Sequence, residues 1–178
     1  MGARAGASPT STRGAGARIA LLAAAVLVAV ATWLILDDRS VAAGGAVLAA
    51  SALLVLGAAI ARRIHDVLLR VLDSVVDRGF DGGLLSSIAW VERTAHPAAS
   101  AGALVALAAG FLGSYVRARG TSLGYGVEES PVTRALRYGL VSAGLLSGRT
   151  TAAVWAVAGL GTVSALVRAT QVAKEERA

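Results

Sequence analysis

Three aspartates at steps of four, Asp73, Asp77 and Asp81, stand in an otherwise apolar run, L-D-S-V-V-D-R-G-F-D-G-G-L-L-S-S-I-A-W over 72–90. On a helix of 3.6 residues per turn they stack on one face. An acid near the middle of a bilayer costs about 2.5–3.5 kcal/mol, so a stripe of three requires a cation, a proton path or internal ion pairs. Asp73 and Asp77, at i and i+4, can share a hard divalent ion such as Mg2+ or Mn2+ if a neighbouring helix or substrate phosphates add oxygens. Ion pairing is the competing use, because Arg70 precedes Asp73 by three residues and Arg78 adjoins Asp77. Spacing alone leaves both open.

Whether that stripe lies in a membrane is answered by composition. The 178 residues are 56% hydrophobic and 16% charged, with 21 glycines. A soluble domain of this size leaves too many residues at its boundary to hide so much apolar surface. Helices packed in lipid can hide it, and small residues suit their close approach. There is no cysteine, which excludes disulfides and thiolate metal sites. The net charge of +6 would suggest nucleic acid in a soluble protein, but here the placement of the charges points to membrane topology and no nucleic-acid partner.

Along the chain, 1–18 reads as a disordered cytosolic tail rich in Gly, Ala, Ser and Arg. Residues 19–36 are long enough to span and have no clear cleavage site after them, so they read as a first helix, not a signal peptide. Further helices follow at 41–61, 71–91, 97–116, 131–146 and 150–168, with Pro97 and Pro131 opening the fourth and fifth. The membrane domain runs over 19–170, and 171–178 is a charged cytosolic tail. Arg4, Arg13, Arg18, Arg62, Arg63, Arg117, Arg119, Arg134, Arg137, Lys174 and Arg177 fall at one end of such a bundle. Only Arg39, Arg93 and Arg149 fall at the other. The positive-inside rule then predicts an all-α bundle of six transmembrane helices in the plasma (inner) membrane with both termini cytosolic.

At the cytosolic end, Arg117, Arg119, Arg134, Arg137 and Arg168 could converge into a cationic pocket that grips phosphate through bidentate hydrogen bonds. The plainer use of such arginines is to set topology and meet lipid headgroups. His65 and His96 read as surface residues, and Trp33, Trp90 and Trp155 as interface anchors. A small transporter using the acid stripe as an ion path would want broken helices or a repeat, and neither is evident.

The six-span plan, L-D-S-V-V-D-R-G-F-D-G in the third helix and S-Y-V-R-A-R-G after the fourth resemble CDP-alcohol phosphatidyltransferases, most closely the phosphatidylinositol-phosphate synthase type, over about 41–172. The signature of that family is D-x2-D-G-x2-A-R-x8-G-x3-D-x3-D. Its four aspartates bind two divalent metals, and the last is regarded as the base for the acceptor alcohol. Asp73 and Asp77 match the third and fourth. With Ala61-Arg62 as the A-R pair, Leu54 and Gly57 stand where the first two aspartates belong and Ala58 where the glycine belongs. The link to Asp73 is then two residues short, with Leu69 at the second glycine. Anchoring on Asp73 instead puts Ala52 and Val55 at the first two positions, so neither register recovers an acid.

The resemblance implies transfer of a phosphatidyl group from a CDP-linked lipid to a polar alcohol, such as a phosphorylated polyol, with release of CMP in phospholipid synthesis. It also implies Mg2+ or Mn2+ at Asp73 and Asp77, with Asp77 as the catalytic base. Ser114, Arg117, Arg134 and Arg168 would bind the acceptor phosphate, membrane lipid would be a partner, and the chain would form a homodimer. Two metals beside a pyrophosphate need several anionic oxygens, so the loss of half the signature sets a second expectation. That alternative is a catalytically impaired relative that binds lipid or nucleotide or serves as a regulatory partner subunit.

Overall fold

A computed structural model describes residues 9–64, 67–126 and 131–175 of the chain. They form six α-helices: α1 (Pro9–Leu36), α2 (Ser40–Ile64), α3 (Val67–Glu92), α4 (Pro97–Ser122), α5 (Pro131–Ser147) and α6 (Thr150–Glu175). There is no strand among the described residues. Each expected helix is present, and most extend a few residues beyond the expected bounds. The largest difference is α1, which begins at Pro9, within the segment read as a disordered tail. A run of Ala, Arg and Gly without apolar periodicity carries no packing signal, yet it can prolong a helix that the following apolar residues have already nucleated.

Pro97 sits in the first turn of α4, where its missing N–H is no loss. Two tight turns at the same end of the bundle use left-handed backbone. Asp38 (φ 58°) lets the Arg39 N–H close back on the Leu34 carbonyl at 2.9 Å, and Gly148 (φ 67°) ends α5 so that the Arg149 N–H reaches the Gly144 carbonyl at 2.9 Å.

The helices pack in a closed ring in the order α1, α2, α5, α6, α4, α3, with α3 returning to α1. A glycine lies at every seam. A Cβ at Gly57 would stand 3.0 Å from Leu21, one at Gly44 2.8 Å from Leu146, one at Gly102 2.9 Å from Val154, and one at Gly83 2.9 Å from the Thr32 hydroxyl. A methyl at Gly144 would collide with Ala153, and one at Gly110 would meet the Asp81 carboxylate at 3.3 Å. Small residues thus let neighbouring backbones approach, as lipid-embedded helices require. In this ring α3 and α5 lie opposite each other. Among the described residues no Cα of one comes within 8 Å of a Cα of the other, so side chains alone bridge the centre.

Four helical segments are long and apolar enough to cross a membrane: Gly14–Leu36, Ser40–Ala61, Pro97–Ser122 and Thr150–Lys174. The outer surface carries exposed Val26, Val30, Leu48, Leu56, Leu104, Leu112, Val163 and Leu166, as lipid contact would favour. α3 and α5 differ from these four. α3 carries the acid stripe, and α5, at 17 residues, reaches only about 26 Å and bears Arg134 and Arg137. Asp77, Asp81 and Arg134 turn inward, while Val67, Leu68, Val71 and Val75 of α3 and Val132 and Leu136 of α5 stay exposed, and this division positions the site.

Candidate functional site: a buried aspartate–arginine cluster

The stripe faces the centre of the ring. Asp77 and Asp81 are 1% and 3% exposed, and Asp73 lies just above them, partly buried. Opposite them α5 presents Arg134, Arg137 and Tyr138. On a helix, positions i, i+3 and i+4 share a face, so one turn and a half of α5 answers two turns of α3.

The bonds interlock. Arg134 Nη1 donates to both oxygens of Asp73 at 2.8 and 3.1 Å, while its Nε lies 3.3 Å from Asp77 Oδ1. Arg137 bridges the next turn, with Nη2 3.2 Å from Asp77 Oδ1 and Nη1 3.1 Å from Asp81 Oδ2. Arg78 is held from within α3 and donates to Asp77 through Nη2. Its Nη1 lies 3.0 Å from Asp81 and donates to the Gly110 carbonyl of α4 at 3.0 Å. The Tyr138 hydroxyl completes the shell by donating to Asp77 Oδ1. Its ring rests on Phe80 of α3 at 3.8 Å between centroids, which fixes the hydroxyl's approach. The six charged side chains among these are three carboxylates and three guanidiniums, so their charges sum to zero. Balance of this kind is how an acidic stripe persists away from water.

The sequence-predicted site residues separate under this geometry. Asp73, Asp77 and Arg134 come together at the centre. Arg168 instead donates from α6 to the Gly113 carbonyl at 3.1 Å, beside half-buried Ser114 on α4. Arg117 is half-buried a turn further along that helix. Pairing of Arg70 with Asp73, one of the two uses open to the stripe, gives way to Arg134, and Arg70 is exposed. Pairing of Arg78 with Asp77 is present. His96 is exposed and contacts Glu92 at 2.5 Å, as a surface residue would, while His65 and Asp66 lie outside the described residues. Trp33, Trp90 and Trp155 are exposed and cluster at the end away from the acids, with Arg93 over the Trp90 ring at 3.8 Å.

Three contributors carried little signal in the sequence. Tyr138 belongs to no charge pattern or motif, although its place four residues after Arg134 puts it on the same face. Gly110 and Gly113 read as packing residues, yet their carbonyls take Arg78 and Arg168, and the missing side chains give those guanidiniums room.

The donor set suits a divalent ion poorly. Among the described residues no three His, Cys, Asp or Glu side chains gather around one point. Asp73 and Asp77 already receive guanidinium N–H groups, and Mg2+ asks for about six oxygens in near-octahedral array. The wall that α2 should supply is apolar, with Leu54, Ala58 and Ala61 buried. Its Ser51 hydroxyl bonds back to the Val47 carbonyl at 2.7 Å. Comparison with family models, curated proteins and solved structures finds no match to this chain.

Proposed function

We propose that this chain is a metal-free, catalytically inert relative of the CDP-alcohol phosphatidyltransferases, built as six membrane spans with both termini cytosolic in the inner membrane, and that it works as a lipid-binding or regulatory partner subunit. The observation that carries this reading is the set of groups around Asp77: Arg78, Arg134, Arg137 and Tyr138 all reach the carboxylate that the resemblance would make the catalytic base. Guanidinium groups here take the charge-balancing role that divalent cations take in the transferases. The apolar α2 wall, where two further aspartates would stand, supports the same reading.

The transferase reading keeps one observation in its favour. Asp73 and Asp77 point to the interior side by side, with an arginine within reach that could serve an acceptor phosphate. In that reading Arg134 and Arg137 must leave both carboxylates before any metal binds. The experiment is CMP release from CDP-diacylglycerol by the purified protein with Mg2+ or Mn2+ and a panel of polyols and polyol phosphates. Inertness predicts no CMP above background. CMP release abolished by Asp77→Asn overturns it.

A further inference from the structure

An open groove runs along the outer surface between α4 and α6, two of the helices long and apolar enough to cross a membrane. Its volume is about 450 Å3. Val105, Leu112 and Val116 of α4 and Leu166 of α6 form its sides, and buried Ala109 and Ala165 form its floor. The one hydroxyl in it, on Thr162, bonds back to the Ala158 carbonyl at 2.8 Å, so the groove asks for no polar partner along its length. From Val105 to Val116 it follows α4 for about 16 Å, close to the ~15 Å depth of one leaflet's hydrocarbon. Beyond Val116 the surface changes character. Tyr115 and Arg119 lie one turn apart and continue the side of α4 that carries Leu112 and Val116. Both are exposed, and among the described residues neither the Tyr115 hydroxyl nor the Arg119 guanidinium has a hydrogen-bond or ion-pair partner. Arg119 thus differs from the arginines of the central cluster, whose charges the aspartates balance.

We infer that the α4–α6 groove seats one acyl chain of an anionic phospholipid of the inner leaflet, with the lipid phosphate on Arg119 and Tyr115. Volume fits one chain: at the roughly 30 Å3 of a water-sized group, about 15 such groups fill the groove, which is one run of methylenes and not two. A flexible chain restores the dispersion contacts that an unfilled groove between rigid helices forfeits. Charge selects the headgroup, because an unpaired guanidinium at the membrane surface favours anionic lipid and meets phosphate bidentately. Tyr115 suits the same level, with its ring toward the chains and its hydroxyl toward the headgroups. The inference rests on the proposed orientation and gives the lipid-binding part of that reading a place. It does not depend on whether the chain turns over substrate, which CMP release tests separately.

Native mass spectrometry of the full chain, released from micelles holding equal phosphatidylglycerol and phosphatidylcholine, tests the headgroup. The parent should retain one phosphatidylglycerol, favoured over phosphatidylcholine by about fivefold, the factor that about 1 kcal/mol per basic residue at the membrane surface gives. Arg119→Gln should bring that ratio close to one. Arg70→Gln, which removes an exposed arginine from α3 away from the groove, should leave it unchanged. Phosphatidylglycerol with a photoreactive acyl chain tests the seat and should label peptides covering 105–116 and 162–169. Ala108→Phe fills the groove from an exposed position and should cut that label several-fold. Equal retention of the two lipids, or equal loss of preference in Arg119→Gln and Arg70→Gln, overturns the headgroup assignment. Label that maps to other helices, or that Ala108→Phe leaves intact, overturns the seat. A dimer in the native spectra with no label on 105–116 overturns the inference in favour of a second copy on this face.

Discussion

Replacing Asp77 with asparagine separates the two uses of the acid stripe by the sign of a stability change. Asp77 is 1% exposed and is reached by Arg78, Arg134, Arg137 and Tyr138, with Arg137 at 3.2 Å and Arg134 at 3.3 Å. Asparagine keeps the shape and removes the charge, leaving three guanidiniums around Asp73 and Asp81 alone. Breaking a buried ion pair by removing one partner costs about 3–5 kcal/mol. At about 2–4 °C per kcal/mol for a chain of this length, Tm should fall by roughly 6–20 °C. Near-UV circular dichroism of the detergent-solubilised protein follows the transition, because Trp33, Trp90, Trp155 and Tyr138 report tertiary packing. High salt should change the loss little, since buried pairs are weakly screened. A metal-binding pair of acids predicts the reverse, because without metal the two carboxylates repel and neutralising one relieves the repulsion. A Tm for Asp77→Asn equal to or above that of the parent refutes the ion-pair account.

Other predictions follow from the same geometry. Tyr138→Phe keeps the stack on Phe80 and removes one donor to Asp77, so it should cost about 1–3 kcal/mol, less than Asp77→Asn in the same melt. Gly144→Leu forces a side chain into Ala153 across the α5–α6 seam and should destabilise by about 1–3 kcal/mol or block folding, whereas Gly79→Ala, with nothing within 4 Å of the new Cβ, should be neutral or stabilise by about 0.5–1 kcal/mol. The absence of native cysteine makes topology mapping direct. In intact cells Ser40→Cys and Thr94→Cys should label alike with an impermeant maleimide if α3 spans the membrane, and oppositely if it does not. Likewise Ser122→Cys and Ser147→Cys should label oppositely if α5 spans.

The helices were legible because each apolar run is bounded by a charged or glycine-bearing turn, and Pro97 and Pro131 mark two starts. The inward aspect of the acid stripe was legible from its period of four. What occupies it was not. Arg134 and Arg137 stand about 60 residues from Asp73 and Asp77 in the chain, and periodicity places residues on a face without saying which face of another helix lies opposite. Arg134 and Arg137 therefore read as part of a cationic pocket at the cytosolic end, and Asp73 stayed open between a divalent ion and nearby Arg70. A trace of the answer was present, since arginines three apart with a tyrosine following match two turns of acids in spacing and in charge. The crossing of the ring by α3 and α5 depends on the order in which six helices close, and no local signal encodes that order.

The central claim is that guanidinium groups, and not divalent cations, neutralise Asp73, Asp77 and Asp81. Electron paramagnetic resonance of Mn2+ titrated into the purified protein at equimolar, low-salt conditions tests it most directly. The account predicts that the six-line signal of aqueous Mn2+ persists at full intensity, with Asp77→Asn identical to the parent. Loss of that signal with one or two ions bound per chain, restored by Asp77→Asn, contradicts it.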